Sequence, residues 1–231
     1  MTKRRAGLDG IRLDVARARL RMSAEPVVLE CGANTGTDTV AILERWPTAR
    51  VFCFEPEPRA VAAWRATVTS PRATLFEVAL AEHDGETTFH RSSGRSPHAP
   101  PDTTEPWNQS GSIRRPTGHF ERWPWVTFDE TMTVTTRSLD SWAAEQGIER
   151  VDLIWADVQG AEGDLVRGGR STLARTRYLY TETTDVEYYE GQTLLGELTA
   201  LLPGWRTLAR YPNDVLLENR NRRQPRSARR R

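Results

Sequence analysis

The residues able to do chemistry gather first around two acids and two glycines. The apolar run Val27-Val28-Leu29 ends in Glu30, and Gly32 and Gly36 follow, four residues apart, with Asn34 between them. Nineteen residues past Gly36, a second apolar run, Val51-Phe52-Cys53-Phe54, ends in Glu55. A buried strand that breaks into a glycine turn, followed by a strand tipped with an acid, opens a βαβ unit whose acid is placed to accept hydrogen bonds from both hydroxyls of a ribose. The spacing predicts an adenosine-containing ligand. Its expected contacts are Glu30, Gly32, Asn34, Gly36 and Asp38 from the first loop, Glu55 and Pro56 from the second, and Ala79 and Asp157 from later strand ends.

The kind of ligand follows from departures from other glycine loops. A phosphate-binding loop needs a Lys-Ser or Lys-Thr pair, and no lysine follows Lys3. The dinucleotide fingerprint uses its middle glycine to bring backbone close to a pyrophosphate, and Asn34 stands in that place. Glu30, just before the turn, would repel a pyrophosphate and could attract a cationic amino-acid group. S-adenosylmethionine (SAM) carries an ammonium and a sulfonium and no phosphate, so the charge pattern points to SAM. A nicotinamide-dependent oxidoreductase is the rival from another enzyme class, but it would need a Tyr-x-x-x-Lys-like pair that this chain cannot supply. A non-catalytic module keeping the fold for partner binding is the second rival. Thermal shift with SAM and S-adenosylhomocysteine (SAH) against NADH separates the first rival, and cofactor binding without turnover would mark the second.

Methyl transfer is an in-line displacement, so an enzyme must hold the acceptor oxygen about 3 Å from the methyl carbon and in line with the sulfur. A hydroxyl acceptor also needs its proton removed. Asp157, at the end of an apolar run over 151–156, is the leading base or base-orienting group. The alternative is a structural acid capping the turn before a helix over 160–168. With Glu182 or Asp185, Asp157 could instead hold a divalent ion such as Mg2+ that lowers the acceptor's pKa. His119 and His90 are further candidate bases, although a histidine without a visible partner is commonly a packing residue. Glu182, Tyr188, Tyr189 and Trp123 are expected to line the acceptor pocket, the alternative being an aromatic plug between loop and core.

These residues must be positioned by alternating elements. Leu8, Ile11, Val15, Ala18 and Met22 fall at helical spacing. Strand 27–31 leads to a helix from about 38 to 45 stopped by Pro47, and strand 51–54 to a helix from about 58 to 69 stopped by Pro71. A strand over 74–80 follows. A helix over 139–146, capped by Ser138 and ended by Gly147, precedes strand 151–156, a strand from about 178 to 182 and a helix from about 192 to 202. Segments 205–210 and 214–217 suit an antiparallel edge. This rhythm predicts an α/β, doubly wound sheet with its ligand crevice at the carboxyl ends of the strands. Residues 92–126 break it, with six prolines, two histidines and three of the eight tryptophans, Trp107, Trp123 and Trp125. A segment this long without periodicity is expected to be an inserted lid or acceptor wall.

The whole chain sets bounds on function. Its 231 residues suit one α/β domain, expected over 25–219 after an N-terminal helical segment over 1–24. Hydrophobic content of 38%, charged content of 27% and a formal charge of +1 describe an ordinary soluble protein. No apolar run approaches the roughly 20 residues of a membrane span, and Met1 to Arg21 lacks a signal-peptide core. The expected location is the cytoplasm. Cys31 and Cys53 lie in buried strands and suit small core residues better than a disulfide. Seven arginines between Arg220 and Arg231 suit a disordered, solvated tail over 220–231, and no aromatic interleaves with them to stack on bases, so nucleic acid is not the expected partner.

Three blocks then resemble the FkbM family of SAM-dependent methyltransferases over roughly residues 25–218: Leu-Glu-Cys-Gly-Ala-Asn-Thr-Gly (29–36), Val-Asp-Leu-Ile-Trp-Ala-Asp-Val-Gln-Gly-Ala-Glu (151–162), and Thr-Glu-Thr-Thr-Asp-Val-Glu-Tyr-Tyr-Glu-Gly-Gln (181–192). Family members often read Lys-x-Asp-Val-Glu-Gly in the middle block. Here Trp155 replaces the lysine and Gln159 the glutamate, so no role carries over to those two side chains, whereas Asp157, Gly160 and Glu162 match. The resemblance implies a Rossmann-like class I methyltransferase sheet and O-methylation of a hydroxyl on a sugar or natural-product small molecule.

Overall fold

The computed structural model describes residues 22–99, 102 and 105–222. Apart from Met22, the helix expected from Leu8 lies outside the described residues, as does most of the arginine-rich tail. In chain order the elements are β1 (Val27–Cys31), α1 (Thr37–Arg45), β2 (Arg50–Phe54), α2 (Pro58–Thr67), β3 (Ala73–Phe76), β4 (Ala79–Ala81), β5 (Gly85–Gly94), α3 (His119–Arg122), β6 (Val126–Ser138), α4 (Leu139–Glu145), β7 (Val151–Ala156), α5 (Glu162–Gly168), α6 (Arg170–Leu173), β8 (Thr176–Glu182), α7 (Leu195–Ala200), β9 (Trp205–Arg210) and β10 (Asp214–Asn219).

Strands apolar on both faces must be covered on both faces, and parallel pairing with crossover helices does this. A seven-stranded sheet runs β3-β2-β1-β7-β8-β10-β9, with β1 pairing β2 and β7 in parallel. Alternation along the strands divides the core in two. Leu29, Cys31, Phe52, Phe54 and Ile154 pack on one face with Trp142. Val28, Val51, Cys53, Leu153 and Trp155 pack on the other with Trp64 and Tyr180. Both cysteines are buried and free, as expected. The doubly wound sheet of the sequence reading is therefore present. Ser138 caps α4 by accepting from the Ser141 N–H at 3.2 Å, and Gly147 turns the chain beyond that helix at φ +64°.

Three differences follow from pairings between residues far apart in sequence. β9 and β10 do pair antiparallel, but only β9 is at the edge, because β10 slots between β9 and β8. Val215, Leu216 and Leu217 are at most 1% exposed, and a strand that apolar needs a neighbour on each side. The strand expected over 74–80 divides at Glu77 and Val78. β3 joins the large sheet, while β4 enters a second sheet of order β4-β6-β5. The third difference concerns residues 92–126, whose ends continue β5 and β6. These strands pair from Gly85↔Thr136 to Gly94↔Val126, with a bulge between Arg91 and Ser93. No helix among the described residues is long and apolar enough to cross a membrane.

Candidate active site

At the carboxyl ends of β1, β2 and β7 the loops enclose a cavity of about 310 Å3. Of the residues expected around a cofactor, Gly32, Asn34, Asp38, Glu55, Pro56, Ala79 and Asp157 line it. Gly32 has φ +84°, and a Cβ there would stand 1.9 Å from the Asp157 carbonyl oxygen. The close approach of the backbone just past β7 and the left-handed φ thus already demand a glycine at this point of the cavity lining. Gly36, outside the lining, caps α1 at φ +83°, where a Cβ would meet Val68 Cγ2 at 2.6 Å. Asn34 takes the left-handed region at φ +44°, a conformation asparagine tolerates better than most side chains.

The two acids of the opening motif have different surroundings. Glu55 follows β2 directly and is 6% exposed. Its Oε2 accepts from the Asn34 N–H and its Oε1 from the Glu57 N–H, both at 2.9 Å. Burial pushes its carboxyl up to about 7, against the two backbone hydrogen bonds that lower it. Each carboxylate oxygen has two acceptor sites, so two remain for donors from the cavity. Glu30 is fully buried and stands outside the lining, which corrects the expectation that it faces a cationic group. Alternation along β1 sends it to the α1 face, where it accepts from Thr39 Oγ1 at 2.5 Å and from Cys53 Sγ at 3.3 Å. Burial raises its carboxyl to about 8.

Asp157 caps the end of β7 at the cavity. Its Oδ1 accepts from Gln159 Nε2 at 2.6 Å, and the same nitrogen donates to Glu182 Oε2 at 3.0 Å. The two acids expected to bind a divalent ion are therefore bridged by an amide. Among the described residues no group of three or more His, Cys, Asp or Glu side chains is placed to hold a metal ion. Tyr189 OH lies 3.0 Å from Gln159 Oε1 and 2.9 Å from the Ser110 carbonyl. Around Tyr189 the structure gathers His119, at 5.6 Å between rings, and Trp123, which packs on His119 at 4.7 Å and on Tyr188 at 5.2 Å. None of the acceptor candidates Trp123, Glu182, Tyr188 and Tyr189 is in the cavity lining; the three aromatics pack together beside it as one wall, and Tyr189, 3% exposed, reaches it through Gln159. His119 belongs to that wall and not to the cavity lining expected of a base. It is 2% exposed, and burial pushes its imidazole down to about 4, which leaves it neutral. His90 is also outside the lining, its backbone paired with Ser112.

The inserted segment supplies part of the cavity wall, but through residues that the sequence did not mark. Asn108, Gln109, Gly111, Ser112 and Ile113 line it. Trp107 and Trp125 pack edge to face on one another at 5.0 Å, and neither lines the cavity. Asn34 Nδ2 donates to the Asn108 carbonyl at 3.1 Å, and Ser112 Oγ donates to the Gln159 carbonyl at 2.7 Å. Arg114 grips Asp164 with two parallel bonds of 2.8 Å. Trp155, where the family often has lysine, stacks on Tyr180 at 4.2 Å as a core residue.

Among the described residues the lining contains the carboxylates of Asp38, Glu55 and Asp157 and no lysine, arginine or histidine. A phosphate would meet no cation here, whereas an ammonium or sulfonium would meet acids. Val78, Leu80, Phe89 and Ile113 give apolar walls for a flat base. These groups fit SAM.

Comparison with known proteins agrees with the geometry. A model of the Methyltransferase FkbM domain matches residues 30–211. The chain is 46% identical over 200 residues to 2-O-methyltransferase NoeI of Sinorhizobium fredii (strain NBRC 101917 / NGR234), covering 84% of this chain and 80% of that protein. It is 29% identical over 190 residues to AMB antimetabolite synthetase AmbE of Pseudomonas aeruginosa, spanning 74% of this chain but 9% of that much longer protein. Precorrin-6y C5,15-methyltransferase from Geobacter metallireducens GS-15 superposes with a TM-score of 0.45 at 11% identity, over 94% of this chain and 88% of that one. With the family model spanning most of its length and a relative 46% identical over 84% of it, the chain belongs to the FkbM methyltransferase family.

Proposed function

We propose that this protein is a cytoplasmic O-methyltransferase that moves the methyl group of SAM to a hydroxyl of a sugar or natural-product small molecule. The observation that carries the reading is the cavity lined by Asp38, Glu55 and Asp157 with no cationic side chain among the described residues. SAM, when bound, supplies an electrophilic methyl carbon on a sulfonium. Glu55 holds the ribose hydroxyls with its remaining acceptor sites, and the apolar walls exclude water around the base. Asp157 takes or orients the acceptor's proton, and the aromatic group of Trp123, Tyr188 and Tyr189 backs Gln159 at the acceptor end of the cavity. The relative named a 2-O-methyltransferase supports oxygen as the acceptor atom. A nicotinamide dinucleotide would bring its pyrophosphate into an acidic cavity, which argues against the oxidoreductase.

The test is incubation with methyl-labelled SAM and a panel of glycosides and hydroxylated natural products, read by SAH release and by the position of the label. A labelled O-methyl group is the expected product. Label on nitrogen or carbon, or stabilisation by NADH and not by SAH, would overturn the reading, and tight SAH binding without turnover across the panel would favour a binding module.

A further inference from the structure

We propose that Gln159 is the positioning residue of the transfer, an uncharged clamp that orients Asp157 toward the acceptor and ties it to the aromatic wall. This rests on the reading of Asp157 as the group that handles the acceptor's proton. Gln159 lies three residues beyond the end of β7 in the left-handed region at φ +51°, uncommon for any residue but glycine and costly enough to need a reason. The reason is the number of groups that it joins. Its two amide hydrogens are spent on two different acids, Asp157 Oδ1 at 2.6 Å and Glu182 Oε2 at 3.0 Å. Its Oε1 accepts from Tyr189 OH at 3.0 Å, and its backbone carbonyl accepts from Ser112 Oγ at 2.7 Å. One residue thereby links the ends of β7 and β8, the loop after β8 and the inserted segment.

The orientation of the amide is fixed by chemistry. Turned over, it would set its carbonyl oxygen against two carboxylates; as placed, it offers a donor to each, and its Oε1 shares the single Tyr189 hydroxyl proton with the Ser110 carbonyl. No other uncharged side chain of this length offers two donors and an acceptor. A glutamate here would put a third carboxylate beside Asp157 and Glu182 and could bridge them only with a proton or a cation. Glutamine aligns the two acids and leaves their charge intact, which suits an acid that must take a proton.

The test uses Gln159→Met, which keeps the length but offers no N–H, and Gln159→Glu, which keeps an acceptor for Tyr189 but replaces the donors. By calorimetry SAH affinity should stay within about twofold of wild type, while kcat falls about 10- to 100-fold and acceptor KM moves less than about threefold. In an Asp157→Asn background, Gln159→Met should lower kcat by less than about twofold more, because two residues acting as a unit are not additive. Wild-type kcat in a folded Gln159→Met or Gln159→Glu variant overturns the proposal. So does a loss that multiplies in the Asp157→Asn background, or one that tracks a loss of SAH affinity, the mark of a merely structural residue. Should Gln159→Met fail to fold, Gln159→Glu carries the same comparison. Full kcat in Asp157→Asn alone would sink the reading of Asp157 and the clamp with it, an outcome distinct from failure of the Gln159 variants alone.

Discussion

A carboxylate with only two backbone N–H groups for company, and 6% of its surface in water, holds its proton more tightly than one in solvent. Glu55 is in that state, raised by burial to about 7. Ribose hydroxyls donate to the ionised form, so ligand binding lowers this pKa and expels the proton. Affinity for SAH should therefore rise as pH increases through about 7, and calorimetry in buffers of different ionisation heat should register release of about half a proton at pH 7. The linkage should vanish in Glu55→Gln. Glu55→Ala should weaken SAH by about 1.5–3 kcal/mol, tenfold or more, since the hydroxyls lose a charge-assisted acceptor in a desolvated place. Unchanged affinity in the folded variant would remove Glu55 from the cofactor site. Asp157 belongs to the transfer step, and Asp157→Asn should cut kcat by about 10²–10⁴ with SAH affinity retained. Activity is expected to survive EDTA, because the space between Asp157 and Glu182 holds the amide of Gln159.

At the scale of elements, the packing of strand ends explains both what the sequence disclosed and what it concealed. β1, β2 and β7 were legible because parallel strands buried on both faces are continuous apolar runs, and the acids at their tips interrupt those runs where the crevice begins. Glu30 and Glu55 look alike in sequence, but Glu30 lies within β1 and points to the α1 face, whereas Glu55 lies just past the end of β2 and faces the cavity. Gly32 was legible as a turn, but its reason was not, since nothing local shows that the Asp157 carbonyl crosses it. Gly32→Ala should therefore damage the fold and not only the site. It should drive β1 and β7 apart at a cost above about 3 kcal/mol by urea unfolding, the range of severe backbone clashes. Gly147 has a comparable φ of +64° but open space where a Cβ would go. Gly147→Ala should cost only the conformational penalty of about 1–2 kcal/mol. Native stability in Gly32→Ala with loss of SAH binding would restore the view that the ligand itself demands this glycine.

At the scale of the molecule, the sequence located the insertion and its aromatics but not their uses. β5 and β6 are rich in threonine and partly exposed, so their alternation is weak, and the pairing that makes them strands joins residues on either side of the insertion. The cavity-lining stretch from Asn108 to Ile113 is polar and small, like any loop, until its partners are known. Those partners tie it down. Asn34 holds Asn108, Gln159 holds Ser112, Tyr189 reaches Ser110, and Arg114 forks onto Asp164 with the two side chains only 21% and 14% exposed. A segment fastened at four points to the loops at the strand ends and to α5 behaves as a fixed wall, so the amides of 107–114 should exchange slowly in the free protein and change little when SAH and acceptor bind. Arg114→Met would remove the fork. Allowing for its partial exposure, about 1 kcal/mol should be lost locally, and exchange in this stretch should speed up about fivefold while exchange in β1 and β7 stays the same. Fast exchange in the free wild type that slows only with both ligands present would instead make the segment a lid, closed by the acceptor and not by its contacts with the strand ends.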